Sequence, residues 1–519
     1  MTGVSRRNFL NLVGAIGGSV ALYNSSRAMG LIAETGPVSN YQIKPADKGA
    51  KKIVILGGGV AGLSVAYELQ MAGYECTILE ASHRIGGRNL TVRHGDLVDE
   101  LGNANICKFD DEPNLYFNAG PARIPGHHQR LLGYCKKFKV PLQIKANANR
   151  LAYIHETNLF GGKPVRAGEY IADARGFMSE LLWKGGNQGA FDEMLTKEDV
   201  ENLMGYSRFF GDLGLDGSYK GTGRSGSLND RMLEHVKVKP TQDFTEVLKS
   251  RTGLMAALTS ENYDWGEPLM EPVGGMDGVV NGFARNLDAK IILKAQVQGI
   301  HNKDDGVTIT YQHKGKLHTL EADFCFNNIP AHFMPGIDNN LSPEYMAALS
   351  EFKRGNLFKI ALQMKERFWE NEGIYGGISF TDQAISQIWY PSHDINAEKG
   401  VILGSYSWND DENEKFAQMS LEDRIKVAAQ CGDKIHPNYS SYIESGVSVP
   451  WTRMNHMMGC GAHMEPEVQD KNFAILQKAE GRHFLIGDQI SQHAGWQEGA
   501  LASADNALRV FSDMRTQAA

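Results

Sequence analysis

Clustered basic charge is missing from this 519-residue chain: 53 lysines and arginines stand against 61 acidic residues, a formal net charge of -8. That removes the electrostatic footprint of a nucleic-acid-binding protein. Cysteine is sparse. Cys76, Cys107, Cys135, Cys325, Cys431 and Cys460 form no CxxC pair and no metal-ligand spacing, so neither a disulfide scaffold nor a zinc site is expected, and no metal is assigned. Cys76 and Cys325 fall in apolar, strand-like stretches, where a free cysteine acts as a small buried hydrophobe, so free thiols are expected. No apolar run reaches the roughly 20 residues that span a bilayer, which argues against a stable membrane anchor. No internal repeat or low-complexity tract interrupts the chain. What remains, 42% hydrophobic and 22% charged residues, is the composition of a soluble globular protein, and its length calls for two or three structural units.

The N-terminus is set apart from the fold. Ser5-Arg6-Arg7-Asn8-Phe9-Leu10 precedes an apolar, glycine-rich run from Leu12 to Leu22 and small residues around Ala28. This is the twin-arginine export pattern, so residues 1–28 read as a signal peptide and a periplasmic or secreted location follows.

From Lys52 the chain reads as strand, tight turn and helix, followed after Gly73 by a second strand that ends at Glu80. Gly57, Gly59 and Gly62 give G-x-G-x-x-G in this βαβ context. Such glycines permit the tight turn, close backbone approach to a pyrophosphate and close helix-to-strand packing, while the helix N-terminus at Val60 and Ala61 receives the anion. Glu80 stands where a carboxylate accepts from ribose hydroxyls. Between about Arg130 and Pro272 helix-like stretches and glycine-rich breaks dominate. Ile291–Val297 and Gly306–Tyr311 look like paired strands, Ala322–Asn328 is a further apolar run, and a helix is expected from about Glu498 to Met514.

Ala81-Ser82-His83-Arg84-Ile85-Gly86-Gly87-Arg88 extends the first unit with a second glycine pair and an arginine. Here the chain resembles the flavin amine oxidase superfamily, which includes monoamine, polyamine and L-amino acid oxidases. The resemblance runs on through Pro272-Val273-Gly274-Gly275-Met276-Asp277, through Val297, and through Gly487-Asp488 and Gly495-Trp496-Gln497-Glu498-Gly499-Ala500. It implies an α/β fold with a Rossmann-like FAD-binding domain of the glutathione-reductase type (51–120, 273–330 and 472–515). It also implies a mixed-sheet substrate-binding domain (121–160 and 331–471) and a helical insertion (161–272). The implied FAD contacts are Gly57, Gly59, Val60, Ala61, Gly62, Glu80, Ala81, Gly87, Arg88, Pro121, Ala122, Arg123, Val297, Gly487, Asp488, Gly495, Trp496 and Ala500. A homo-oligomer, a dimer, is the family expectation, and no residue pattern derives it.

Within the superfamily, Asn118-Ala119-Gly120-Pro121-Ala122-Arg123-Ile124-Pro125 resembles the L-amino acid oxidase signature, whose arginine grips the substrate α-carboxylate with a planar fork. The alternative is a structural arginine. Lys359, in an apolar strand, resembles the lysine that holds a water against flavin N5. Tyr390 resembles the tyrosine that gives a second bond to the carboxylate. Neighbouring strand side chains face opposite ways, so Trp389 and Tyr390 cannot both face the site, and Tyr390 is chosen over its alternative as a core aromatic. Trp496 is the expected aromatic wall; His127 and His128 receive no role. Cys460 falls where monoamine oxidases bind flavin covalently, but its neighbours differ, so non-covalent FAD is expected. The implied reaction oxidises free L-amino acids by hydride transfer to FAD and returns electrons to O2, giving 2-oxo acid, ammonia and hydrogen peroxide. Rivals are a monoamine or polyamine oxidase, an amino acid 2-monooxygenase and a non-catalytic FAD-binding protein.

Overall fold

The structure is a computed structural model that describes residues 43–46, 51–229 and 232–517; the expected signal peptide at 1–28 lies outside the described residues. Among the described residues no helix is long and apolar enough to cross a membrane.

A five-stranded parallel sheet forms the first layer. Its centre is β1 (Lys52–Leu56), flanked by β2 (Glu75–Glu80) and by Phe324–Asn327; Lys290–Leu293 and His483–Leu485 are the edges. A parallel sheet is covered on both faces, and β1 reads as a continuous apolar run for that reason. Ile53 and Ile55 pack beneath α1 (Val60–Met71) and the C-terminal helix Gln497–Gln517, with Leu63, Leu501, Leu508 and Phe511 in one core. Val54 and Leu56 point the other way, into a core with Ile300, Val307 and Ile309.

The expected pairing of 291–297 with 306–311 needs correction. Lys290–Leu293 joins β2 in the parallel sheet, and only Gln296–Asn302 pairs with Val307–His313, antiparallel. Between them Lys294 takes a left-handed conformation, with φ of 55°. Its N–H and that of Ala295 donate to Ser82 O and Glu80 O at 3.0 and 2.9 Å. One apolar stretch thus supplies two sheets across a kink that alternation of side chains does not announce. The 322–328 run behaves similarly: Lys316–Ala322 ends an antiparallel ladder before Phe324–Asn327 enters the parallel sheet.

The second layer is a seven-stranded mixed sheet. In spatial order it comprises Val165–Arg166, Tyr153–His155, Gly377–Thr381, Gln387–Tyr390, Gly400–Ser407, Phe358–Met364 and Ile443–Pro450. Within 161–272 the elements are mainly helical: Ala167–Asn187, Lys197–Gly211, Phe244–Lys249 and Arg251–Leu258. The second of these starts in a capping box in which Thr196 and Asp199 satisfy each other's backbone N–H. The stretch closes with the strand Leu269–Pro272, which pairs with Ile124–Pro125 and Leu142–Ile144 and so ties it back to the segment after Arg123.

Candidate active site

One cavity of about 1300 Å³ runs from the carboxyl end of the parallel sheet to the mixed sheet. At the first end lies the glycine turn. Gly57 has φ of +98°, and a Cβ on Gly59 would come within 2.7 Å of Asn328 Nδ2. A Cβ on Gly62 would sit 2.2 Å from Gly57 O, which no rearrangement of a side chain relieves. Gly57, Gly59, Val60 and Ala61 line the cavity, whereas Gly62 serves the packing of α1 on the turn. Gly59 caps α1 without a side-chain acceptor, and the first turn carries no acidic residue, so the helix N-terminus is left free for an anion. Glu80, also on the wall, is buried and accepts from Gly58 N–H at 2.7 Å and Ser82 N–H at 2.8 Å. The carboxylate therefore braces the turn with one lone pair on each oxygen and keeps the others for a ligand.

Segments distant in sequence close this end. The Arg88 guanidinium makes a bidentate pair with Asp488, 3.0 Å for Nη1 to Oδ2, and also donates to Cys460 O at 2.8 Å. Asp488 Oδ2 accepts in addition from Gly495 N–H at 2.8 Å. Burial works against the Asp488 carboxylate, but the adjacent Arg88 charge outweighs it and holds the pKa below the ordinary value. Met276, in the Gly274-Gly275-Met276 turn, donates through its N–H to Asn118 Oδ1 and accepts through its carbonyl from Asn89 Nδ2. Gly120 passes so close to Arg88 that a Cβ would lie 1.8 Å from the Arg88 carbonyl oxygen. The motifs thus converge on one cradle, in which glycines stand where a Cβ would collide with neighbouring backbone or side-chain atoms. Ala81, Gly87, Pro121, Ala122, Val297, Gly487, Gly495 and Ala500 line it as well.

At the other end Arg123 is enclosed by indoles: its guanidinium carbon lies 5.2 Å from the Trp389 ring, 5.3 Å from Trp496 and 5.9 Å from Trp265. Among the described residues no carboxylate comes within 4.0 Å of it, and its buried Nε has no hydrogen-bond partner. Burial holds its pKa below the ordinary arginine value. Lys359, only 1% exposed, lies nearby on the strand Phe358–Met364. Its Nζ donates to Gly120 O at 2.6 Å and Asn118 O at 3.2 Å, and stands 4.9 Å from the Tyr406 ring. Burial lowers its pKa to about 7.

A cofactor-sized cradle of open glycines at one end, and an unpaired guanidinium at the other, match what a scan of family models finds: the model for flavin-containing amine oxidoreductases covers residues 60–508. The chain belongs to that family. Like the family, it is an FAD-dependent oxidoreductase. It is 28% identical over 492 residues to an L-amino-acid oxidase of Siganus canaliculatus, covering 87% of this chain and 83% of that one. To a flavin-dependent L-tryptophan oxidase of Lentzea aerocolonigenes it is 26% identical over 489 residues, 89% and 98% of the two chains. Among solved structures, cyclohexylamine oxidase from Brevibacterium oxydans IH-35A superposes with a TM-score of 0.60 at 16% identity, covering 90% of this chain and all of that one. Putrescine oxidase with bound putrescine gives 0.60 at 15%, over 90% and 99% of the two chains. The last two establish the shared fold.

Against this amine oxidoreductase frame one sequence-derived assignment fails. Tyr390 does not reach the cavity: it is 1% exposed, and its hydroxyl is within 2.8 Å of Ser379 Oγ and 2.6 Å of His436 Nε2 on the far face of the strand. Its neighbour Trp389 faces the cavity and the Arg123 guanidinium. Alternation along the strand requires that one of the two face inward, but which one depends on the sheet's orientation. The tyrosine on the wall is Tyr406, paired with Lys359 across the antiparallel ladder. Trp265, Tyr406 and Asn328 escaped the sequence reading; of these only Asn328, just past a strand end, carried a positional signal. Cys460 lines the cavity, and burial pushes its thiol pKa up, away from the reactive thiolate.

Proposed function

We propose that this protein is an L-amino-acid oxidase, converting free L-amino acids and O2 to 2-oxo acids, ammonia and hydrogen peroxide. The observation that carries the reading is the unpaired Arg123 at the cavity wall. A desolvated guanidinium without a counter-ion calls for an anionic ligand, and its fork matches a carboxylate through two parallel N–H bonds. The indole faces around it exclude water and strengthen the pairing. FAD, held by the cradle of Gly57, Gly59, Glu80, Arg88 and Gly487, would supply the hydride-accepting chemistry and the return of electrons to O2. The chain's own residues aim the substrate: Arg123 fixes the carboxylate end, and Trp389 and Trp496 limit its rotation. Lys359, with a pKa near 7, holds a proton at Nζ against the carbonyls of Asn118 and Gly120. The relatives named as L-amino-acid oxidases support the same substrate class. The twin-arginine pattern at Ser5–Leu10 supports a periplasmic or secreted location.

A peroxide screen against matched pairs, phenylalanine with phenethylamine and lysine with cadaverine, tests the assignment. An amine leaves the guanidinium desolvated and alone, a penalty of about 3–5 kcal/mol, or roughly two to four orders of magnitude in kcat/KM. Equal turnover of amines replaces the reading with an amine oxidase. Amide formation without peroxide replaces it with a monooxygenase, and a flavin that no substrate bleaches indicates a non-catalytic protein.

A further inference from the structure

Behind the indole cage, three histidines converge on one carboxylate. Asp264 Oδ1 lies 2.8 Å from His127 Nε2, 3.5 Å from His128 Nε2 and 3.4 Å from His493 Nε2, and the last two nitrogens are 3.2 Å apart. The ligand atoms of His127, His128 and Asp264 all fall within 4.8 Å of one another. We infer that His127, His128 and Asp264, with His493 beside them, form a site for one divalent transition metal of the zinc class.

Hydrogen bonding alone satisfies this arrangement poorly. If His493 Nε2–H donates to His128 Nε2, the latter turns a lone pair toward the carboxylate oxygen; the reverse assignment only exchanges the problem, and two N–H groups facing each other repel. A cation among them removes the conflict, because every nitrogen that it binds turns a lone pair toward it. The spacing suits one: tetrahedral bonds of about 2.0–2.1 Å put ligand atoms about 3.3 Å apart, and Asp264 Oδ1 stands 2.8 Å from His127 Nε2 and 3.5 Å from His128 Nε2. Imidazole and carboxylate together suit zinc rather than calcium or magnesium. Three protein ligands leave a fourth position for a water molecule.

The ligands come from two parts of the chain: the segment after Arg123 and the stretch between the long helices and Pro272. Asp264 precedes Trp265, so the metal would hold in place one of the three indoles that enclose Arg123; the His493 ring beside the site stacks on Trp496 at 5.7 Å. Asp264 and His493 keep partial exposure, 22% and 35%, which gives an ion a route in.

The test uses the FAD-loaded enzyme, stripped with a chelator, dialysed and titrated with Co2+ alone, then with Zn2+ alone. The site predicts tetrahedral cobalt bands at wavelengths beyond the flavin absorbance, saturating at one equivalent per chain and discharged by Zn2+. It also predicts a zinc-dependent rise in melting midpoint. Asp264→Asn and, separately, His127→Gln should weaken cobalt binding by at least the roughly 10- to 100-fold that altering a ligand's supporting partner costs. Loss in either variant that retains FAD supports the site. Absence of cobalt bands and of a zinc-dependent melting shift in the unsubstituted protein overturns it, and so does binding unchanged in both variants.

Discussion

At the cofactor end of the cavity Arg88 is locked in a bidentate pair with Asp488, whose side chain is 5% exposed, whereas at the substrate end Arg123 faces three indoles and no carboxylate. Both residues are arginines desolvated on the wall of one cavity. Arg88 has its counter-charge within the fold and joins the first βαβ unit to the turn before the last helix. Among the described residues Arg123 has no carboxylate within 4.0 Å, and Asp264 acts on it only from a greater distance. A buried charge that the fold has already neutralised holds architecture; one left without a partner holds a place for a substrate.

Breaking the two arginines separates these roles. Arg88→Met strands the buried Asp488 carboxylate, and the expected cost is about 3–5 kcal/mol of stability, seen as a lowered melting midpoint and loss of FAD on gel filtration. Arg123→Met should leave melting and flavin content unchanged while kcat/KM for L-amino acids falls by roughly two to four orders of magnitude. Arg123→Lys recovers only part, because it restores the charge without the fork. If Arg123→Met unfolds the protein and Arg88→Met does not, the comparison is reversed.

The neighbours Trp389 and Tyr390 sharpen it on a smaller scale. Trp389→Leu removes a cation–π contact of about 0.5–2 kcal/mol and should lower kcat/KM by roughly 2- to 30-fold. Tyr390→Phe should cost about 1–2 kcal/mol in denaturant unfolding, since Ser379 and His436 lose a buried partner, with kcat/KM within about twofold of the parent.

A pH-dependent comparison concerns Lys359, whose pKa of about 7 lies far below the ordinary lysine value of 10.5 because of burial. Between those two values the unfolded chain binds a proton that the native one has released, so the lysine's contribution to stability rises with pH across that window. Below pH 7 both states are protonated, and the cost of burying the ammonium is felt in full. Melting curves of the parent and Lys359→Met from pH 6 to pH 9 should therefore show the parent gaining on the variant as pH increases. A difference that stays constant with pH would mean that Lys359 keeps its proton throughout.

Where the chemistry is local, the chain announces it. Lys52 to Arg88 contains a strand, a glycine turn, a helix and a second strand, and the steric demand on Gly62 comes from Gly57 and Ile55 within those residues, whereas Gly57 and Gly59 are crowded by Asn328. Arg123 is legible for a similar reason: its flanks form a contiguous signature. The kink at Lys294 is not, because it is imposed by bonds to Ser82 and Glu80, some 200 residues earlier.

From sequence alone came the FAD cradle, the family and the arginine on which the substrate assignment rests, since each is written in consecutive residues whose backbone geometry is self-determined. Tertiary structure alone decided that Trp389 rather than Tyr390 enters the cavity, that Trp265 and Tyr406 complete its wall, and that His127, His128 and His493 all approach the Asp264 carboxylate. The face a strand turns inward, and the meeting of remote loops, are set by how whole layers pack. That packing is a collective minimum over contacts between distant residues, and no short stretch of sequence encodes it.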